Sequence, residues 1–341
     1  MKLKNTMHFN WRHTILIVAM ILLMLQSYVG FAQPNYPQKD IPKDLPEEIQ
    51  QKITALYDKD PTNRANAVVA LRHLFQAEEL KPTIPILLSM LHDDATLFWS
   101  SPFSPNTTAT SPGEEAAKTL GSLGEDAVQP LLAKLTDKNH HVRKCAAAGL
   151  GATRSETALD PLIDLAAKEP NTDVLAKVIA AIGYIPGTKG NDILIAALKN
   201  KDWHVRENAA QALEIRKDPE AVAPLTQMLR EARADDRGAA IDAERALDAI
   251  AGREHMNAIL YDDLVAALRD KDWKTCDKIA SNLSYRESPS AVGLLLQMLK
   301  EARSEKREMS VIWAERALEN NTGIPASNKD KEWQQWWEEN K

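Results

Sequence analysis

The residues best suited to chemistry are two adjacent histidines, two cysteines and a twice-written set of Trp, His and Arg. His140 and His141 stand side by side, and His204 takes the place of His141 in a later unit. Imidazoles that share a metal from one helix sit three or four residues apart, as in H-x-x-x-H. Adjacent helical side chains point apart, so no metal site is expected. Cys145 and Cys276 fall in helices several units apart, too far for Cα atoms that a disulfide must hold within about 7 Å. Neither has a convincing His partner nearby in sequence, so both read as small buried apolar residues rather than nucleophiles. No P-loop, GxGxxG, GxSxG, CxxC or HExxH pattern occurs. No catalytic residue, no metal and no cofactor are therefore expected.

The remaining candidates are contact residues. Trp203 and Trp273 occupy the same turn position in two copies of one segment, and His140 takes the equivalent place earlier. Arg143 and Arg206 follow His140 and Trp203 at the same distance. Trp and Arg dominate binding hot spots, so this edge is a candidate partner surface. The alternative is that each indole plugs the gap between neighbouring turns. Trp99 and Phe103 lie in Leu97–Gly113 (LFWSSPFSPNTTATSPG), which breaks the surrounding rhythm and reads as an inserted loop, either a recognition loop or a flap on the body.

The elements that carry these residues come from internal duplication. AALKNKDWHVRENAAQALEIRKDPEAVAPLTQMLREARADDR, which begins at Ala196, returns about seventy residues later as AALRDKDWKTCDKIASNLSYRESPSAVGLLLQMLKEARSEKR, with about half the positions identical. AERAL at Ala243–Leu247 returns at Ala314–Leu318. A chain that repeats at a fixed period stacks units that each bury their apolar face against the next. Helices in pairs are predicted throughout, for example Glu125–Thr136 with Asn139–Leu150 and Thr188–Lys199 with Trp203–Ile215. Pro130, Pro161 and Pro224 are expected at helix starts, where a missing N–H costs nothing. Asp137, Asn139, Asn200 and Asp202 can cap the helices that follow.

The pattern L-x-[DN]-K-[DN]-x-x-V-R, at Leu135–Arg143 and Leu198–Arg206, followed by an Ala-rich helix, resembles the bacterial HEAT-repeat group, including the short repeats of phycobilisome-lyase-type proteins. The resemblance implies an all-α, right-handed α-solenoid of about eight helix pairs with second helices on the concave side. It also implies a ladder of polar contacts between successive repeats through Asp137 with Arg143 and Asn200 with Arg206. The tail is similar to the ends of exported proteins of that group: a glycine, a polar stretch, then Trp333, Trp336 and Trp337 on one helical face. This reads as a capping helix, with an aromatic binding patch as the alternative.

Composition sets the outer bounds. The formal charge is -6, and no run of Lys or Arg appears, which argues against a partner that presents phosphates. Lys2, Lys4 and Arg12 precede an apolar run, Ile15–Leu25, and small residues end at Ala32. This is a signal-peptide pattern, and the run is short for a spanning helix. The expected organisation is a signal peptide over 1–32, a Pro-rich tether over 33–48, a solenoid over 49–323 with an insertion at 97–113, and a Trp-rich cap over 324–341. The expected place is periplasmic or extracellular, with an inner-membrane anchor as the alternative if the signal stays uncleaved.

The function expected from these readings is a non-enzymatic scaffold binding protein or peptide partners. The alternative implied by the resemblance is a bilin lyase-like enzyme or a chaperone of chromophore attachment; nucleic-acid binding is disfavoured. N-terminal sequencing of the chain recovered from an envelope fraction should begin at Gln33; a chain that retains Met1 contradicts cleavage.

Overall fold

The computed structural model describes residues 36–100, 107–235, 239–325 and 330–341. The signal segment and Phe103 lie outside the described residues. The described residues are all-α apart from one hairpin: α1 (Glu47–Ala55), α2 (Pro61–Leu74), α3 (Ala77–Leu80), α4 (Ile84–Met90), β1 (Leu97–Ser100), β2 (Thr107–Thr110), α5 (Pro112–Ser122), α6 (Glu125–Leu132), α7 (His140–Thr153), α8 (Leu159–Ala166), α9 (Thr172–Tyr184), α10 (Asn191–Ala197), α11 (Trp203–Arg216), α12 (Val222–Asp235), α13 (Ala239–Ala251), α14 (Arg253–Arg269), α15 (Trp273–Leu283), α16 (Val292–Ser304), α17 (Glu308–Thr322) and α18 (Asp330–Asn340). Among the described residues this is an α-solenoid of helix pairs with a closing helix. The second helices of the pairs are α2, α5, α7, α9, α11, α13, α15 and α17. Two compact units divide the chain at Ala181 and Ile182.

In the first unit the second helices pack side by side, α2 on α5 and α5 on α7. Small residues make this approach possible. A Cβ added at Gly121 would stand 2.4 Å from the Ala152 Cβ, and one at Gly151 would stand 2.7 Å from the Ala181 Cα. Both distances are shorter than carbon atoms tolerate, so glycine is required by the neighbouring helix. The core between first and second helices is aliphatic, with Ile49, Ile53, Val68, Leu87, Leu120, Val128 and Leu150 at or near zero exposure. The expected extended tether is partly docked on this unit. Tyr57 donates its hydroxyl to the Tyr36 carbonyl at 2.7 Å, and Gln50 donates to the Lys43 and Leu45 carbonyls.

The insertion is more ordered than a loop. Its flanks form an antiparallel hairpin, with Leu97 opposite Thr110 and Trp99 opposite Thr108. The next helix begins at Pro112, so Pro112 and Gly113 belong to α5, capped by Ser111 accepting from the Glu114 N–H. Alternating aromatic, Thr and Ser residues favour strands, and that signal is weak in so short a run. The prolines need a similar correction. Pro161 and Pro224 fall in first turns, each after a short 3-10 segment, whereas Pro130 lies inside α6.

In the second unit α11 packs along α13 and α15 along α17, but α13 and α15 barely meet. The last helix closes the array against α16 and α17. Trp333 is fully buried and its indole N–H donates to the Ile324 carbonyl at 3.0 Å. Trp337 packs against Gly293, where a Cβ would meet its ring at 2.8 Å. No helix among the described residues is long and apolar enough to cross a membrane. Trp333→Ala should destabilise the second unit by about 3–5 kcal/mol, the usual loss for a large aromatic cut from a core. Urea unfolding followed by far-UV circular dichroism checks this, and a loss below about 1 kcal/mol contradicts a structural cap.

Candidate functional site

Three of the repeat turns share one construction. An Asp or Asn caps the second helix, and an arginine four residues later folds back over the turn. Asp60, Asn139 and Asp202 accept from the N–H two residues on. Arg64 donates to the Asp58 and Lys59 carbonyls, Arg143 to Asp137 and Lys138, and Arg206 to Asn200 and Lys201. The carbonyls before a helix have no partner within it, and the guanidinium supplies one.

Two of these arginines, Arg64 and Arg143, also tie one repeat to the next, through a residue that the family pattern does not name. Arg64 forms a two-pronged pair with Asp93, both fully buried, at 2.6 and 3.1 Å. Arg143 does the same with Glu169, at 2.8 and 2.7 Å. The Asp137 carboxylate accepts the Asn139 N–H of its own turn and stands 4.0 Å from His92 of the preceding repeat, while the partner of Arg143 in the next repeat is Glu169. Burial pushes the Asp93 carboxyl above its ordinary value despite Arg64. Arg143 holds Glu169 below the ordinary range, against a smaller opposing effect of burial.

The predicted contact residues fare unequally. In the first unit His140 is exposed at the helix start and Arg143 is committed to the pair with Glu169. Trp99 sits in β1. In the second unit Trp203 is 37% exposed and stacks on His204, ring centroids 3.6 Å apart. Its repeat counterpart Trp273 is 6% exposed and lies under Arg307, whose guanidinium is 5.1 Å from the ring. Trp273 is therefore a plug between turns, whereas Trp203 presents an aromatic face; the copies differ because Trp273 is covered by Arg307 from the following turn. Arg206 is half-buried over its own turn.

Two groupings went unread in the sequence. His141 Nε2 lies 3.3 Å from Ser111 Oγ and 3.4 Å from Cys145 Sγ, all three buried. The cysteine thus has a histidine partner after all, at the i, i+4 spacing within α7. Burial pushes the Cys145 thiol up to about 12 and His141 below its ordinary value, so the thiol stays protonated at pH 7. The second grouping lines a cavity of about 350 Å³ between α13, the start of α14 and the end of α15: Glu244, Asp248, Arg253, Asn282, Tyr285 and Arg286. Arg286 pairs with Asp248 and Asn282 with Glu244.

Comparison with known proteins reports the repeats. The sequence family of HEAT repeats matches residues 114–182 and, overlapping them, 161–245. Curated proteins give no match. Among solved structures, one engineered protein is similar at 18% identity and a TM-score of 0.37, over 86% of this chain and 82% of its own. A second engineered protein has 18% identity and a TM-score of 0.35, over 60% of this chain and 97% of its own. The complex of CpcE and CpcF of phycocyanin lyase from Nostoc sp. PCC7120 has 17% identity and a TM-score of 0.33, over 89% and 98%.

Two outcomes test the turn chemistry. Because Glu169 is held low when folded, its pair with Arg143 contributes fully above the unfolded carboxylate pKa of about 4.3 and fades as pH falls through the lower folded value. Arg143→Gln should cost on the order of 1–3 kcal/mol at pH 7 and progressively less below pH ~4; a difference that stays constant across that range contradicts the assignment. Acrylamide should quench Trp203 and spare Trp273, so Trp203→Phe lowers the quenchable fluorescence and Trp273→Phe does not. Equal effects contradict the burial difference.

Proposed function

We propose that the chain is an exported, non-enzymatic HEAT-repeat scaffold that binds protein or peptide partners through exposed residues of its repeats. One observation carries the binding reading. Tyr184, Ile215 and Tyr285 each stand two residues beyond the last core position of a second helix, Ile182, Leu213 and Leu283. They are 51%, 52% and 77% exposed, whereas those core positions are fully buried. Large apolar side chains left outside at one structural position of several repeats favour contact with a second molecule. Trp203 adds an exposed aromatic at the opposite end of α11.

The acid excess favours a protein or peptide over nucleic acid. Export rests on the basic start, the apolar run and the small residues before Gln33. Crosslinked capture from the envelope fraction, with the intact chain and with a Tyr184→Ser, Ile215→Ser double variant, tests the binding reading. The double variant should recover the same partners at least about tenfold less well, the effect of roughly 1.4 kcal/mol. Recovery at the level of the intact chain contradicts it.

A further inference from the structure

We propose that the cleft between α13 and α15 holds an extended peptide by its main-chain carbonyls, an inference that rests on the binding reading above and names its ligand.

The duplication shows what the cleft accommodates. Arg216 and Arg286 are the same residue in the two copies, each closing a second helix before the next repeat. Around Arg216 the segment 184–191 (YIPGTKGN) wraps the guanidinium. Nη2 donates to the Ile182 carbonyl and, at 3.0 Å, to that of Ile185; Nη1 donates to the Lys189 carbonyl at 2.8 Å and to Asn191 Oδ1 at 2.7 Å. The chain thus meets both terminal nitrogens of this arginine with its own oxygens, three from peptide carbonyls and one from Asn191.

At Arg286 the corresponding segment is missing. α13 ends at Ala251 and α14 starts at Arg253, with Gly252 alone between them. Arg286 turns to the side chain of Asp248 instead, through Nη1 and Nη2. A guanidinium carries five N–H donors in a flat fork, so that pair leaves others for a carbonyl. Arg253 is exposed at the mouth, close enough to act electrostatically on Asp248. Tyr285 forms the other wall and is 77% exposed.

The helices themselves hold the space open. Gly183 lets Ala212 approach α9 so closely that a Cβ on it would stand 2.3 Å from the Ala212 Cβ. Asn282 is the copy of Ala212, and Asp248 follows the buried Leu247 on α13 as Gly183 follows the buried Ile182 on α9. The Asp248 and Asn282 side chains are polar and branched, and both are used across the gap, by Arg286 and by Glu244 respectively. The resulting volume of about 350 Å³ lies at the small end of ligand pockets, about 300–1,000 Å³. That suits a few residues of extended chain, with carbonyls toward Arg253 and Arg286 and a side chain against the Tyr285 ring. Arginine serves such planar acceptors well.

The probe is the octapeptide YIPGTKGN, acetylated and amidated so that it offers carbonyls and no terminal charge, titrated into the full chain by calorimetry. Binding should be saturable with one site, and Arg253→Gln and Tyr285→Ala should each weaken it at least tenfold. Both side chains are exposed, so the thermal midpoints of these variants should stay at the parent value, which separates lost binding from lost fold. Lys118→Gln, in the other unit, should leave binding unchanged. No binding to the parent chain, or binding that both cleft variants leave intact, overturns the proposal. Those outcomes are independent of the envelope capture with Tyr184→Ser and Ile215→Ser, so the cleft can fail while the broader reading stands.

Discussion

The structure depends on how closely neighbouring second helices approach. Two helices whose facing residues are Gly and Ala bring their backbones nearly into contact, and the aliphatic side chains above and below then interlock without voids. Gly121 with Ala152, Gly151 with Ala181, and Gly183 with Ala212 are three such meetings. Each excludes even one methyl group, so the spacing of those repeats is set by backbone rather than by side-chain choice. The arginine turns then fix the edge: one guanidinium satisfies the carbonyls ahead of its own helix and, at Arg64 and Arg143, grips a carboxylate on the next repeat.

Where the small residues give way, the architecture changes. In the second unit Ala246 and Ala317 keep the small position buried on α13 and α17. Asn282 replaces it on α15, and Asp248 follows Leu247 on α13 as Gly183 follows Ile182 on α9. Along that one junction packing gives way to side-chain bridges. The long first helix α14 fits the same picture, because it starts one residue after α13 and leaves no loop to fill the space. The surface that results is lined by polar residues and bounded by Tyr285, unlike the closed contacts at Gly121, Gly151 and Gly183.

Much of this was legible in the residues. The repeat period, the helix pairs, the capping Asp and Asn and the buried thiols all follow from spacing and composition. The inter-repeat carboxylates were not: Asp93 and Glu169 sit in turns of different sequence, and the arginine that reaches Asp93 lies in LYDKDPTNR, where Asn63 stands in the place of the pattern's Val. The difference between Trp203 and Trp273 was invisible for a related reason. It is decided by Arg307, which belongs to another repeat. The hairpin around the insertion escaped because four-residue strands leave almost no periodic signal. The Ser111, His141 and Cys145 grouping joins a helix cap to the following second helix, a contact that only stacking creates.

Alanine at a contact glycine measures the spacing itself. In a helix with room around it, Gly→Ala stabilises by about 1 kcal/mol, whereas an extra methyl group forced into closed packing costs about 1–3 kcal/mol. Gly183→Ala would place a Cβ 2.3 Å from the Ala212 Cβ. Urea unfolding should therefore show a loss of about 1–3 kcal/mol for Gly183→Ala. A gain in stability would contradict the account, because α9 and α11 would then have room between them.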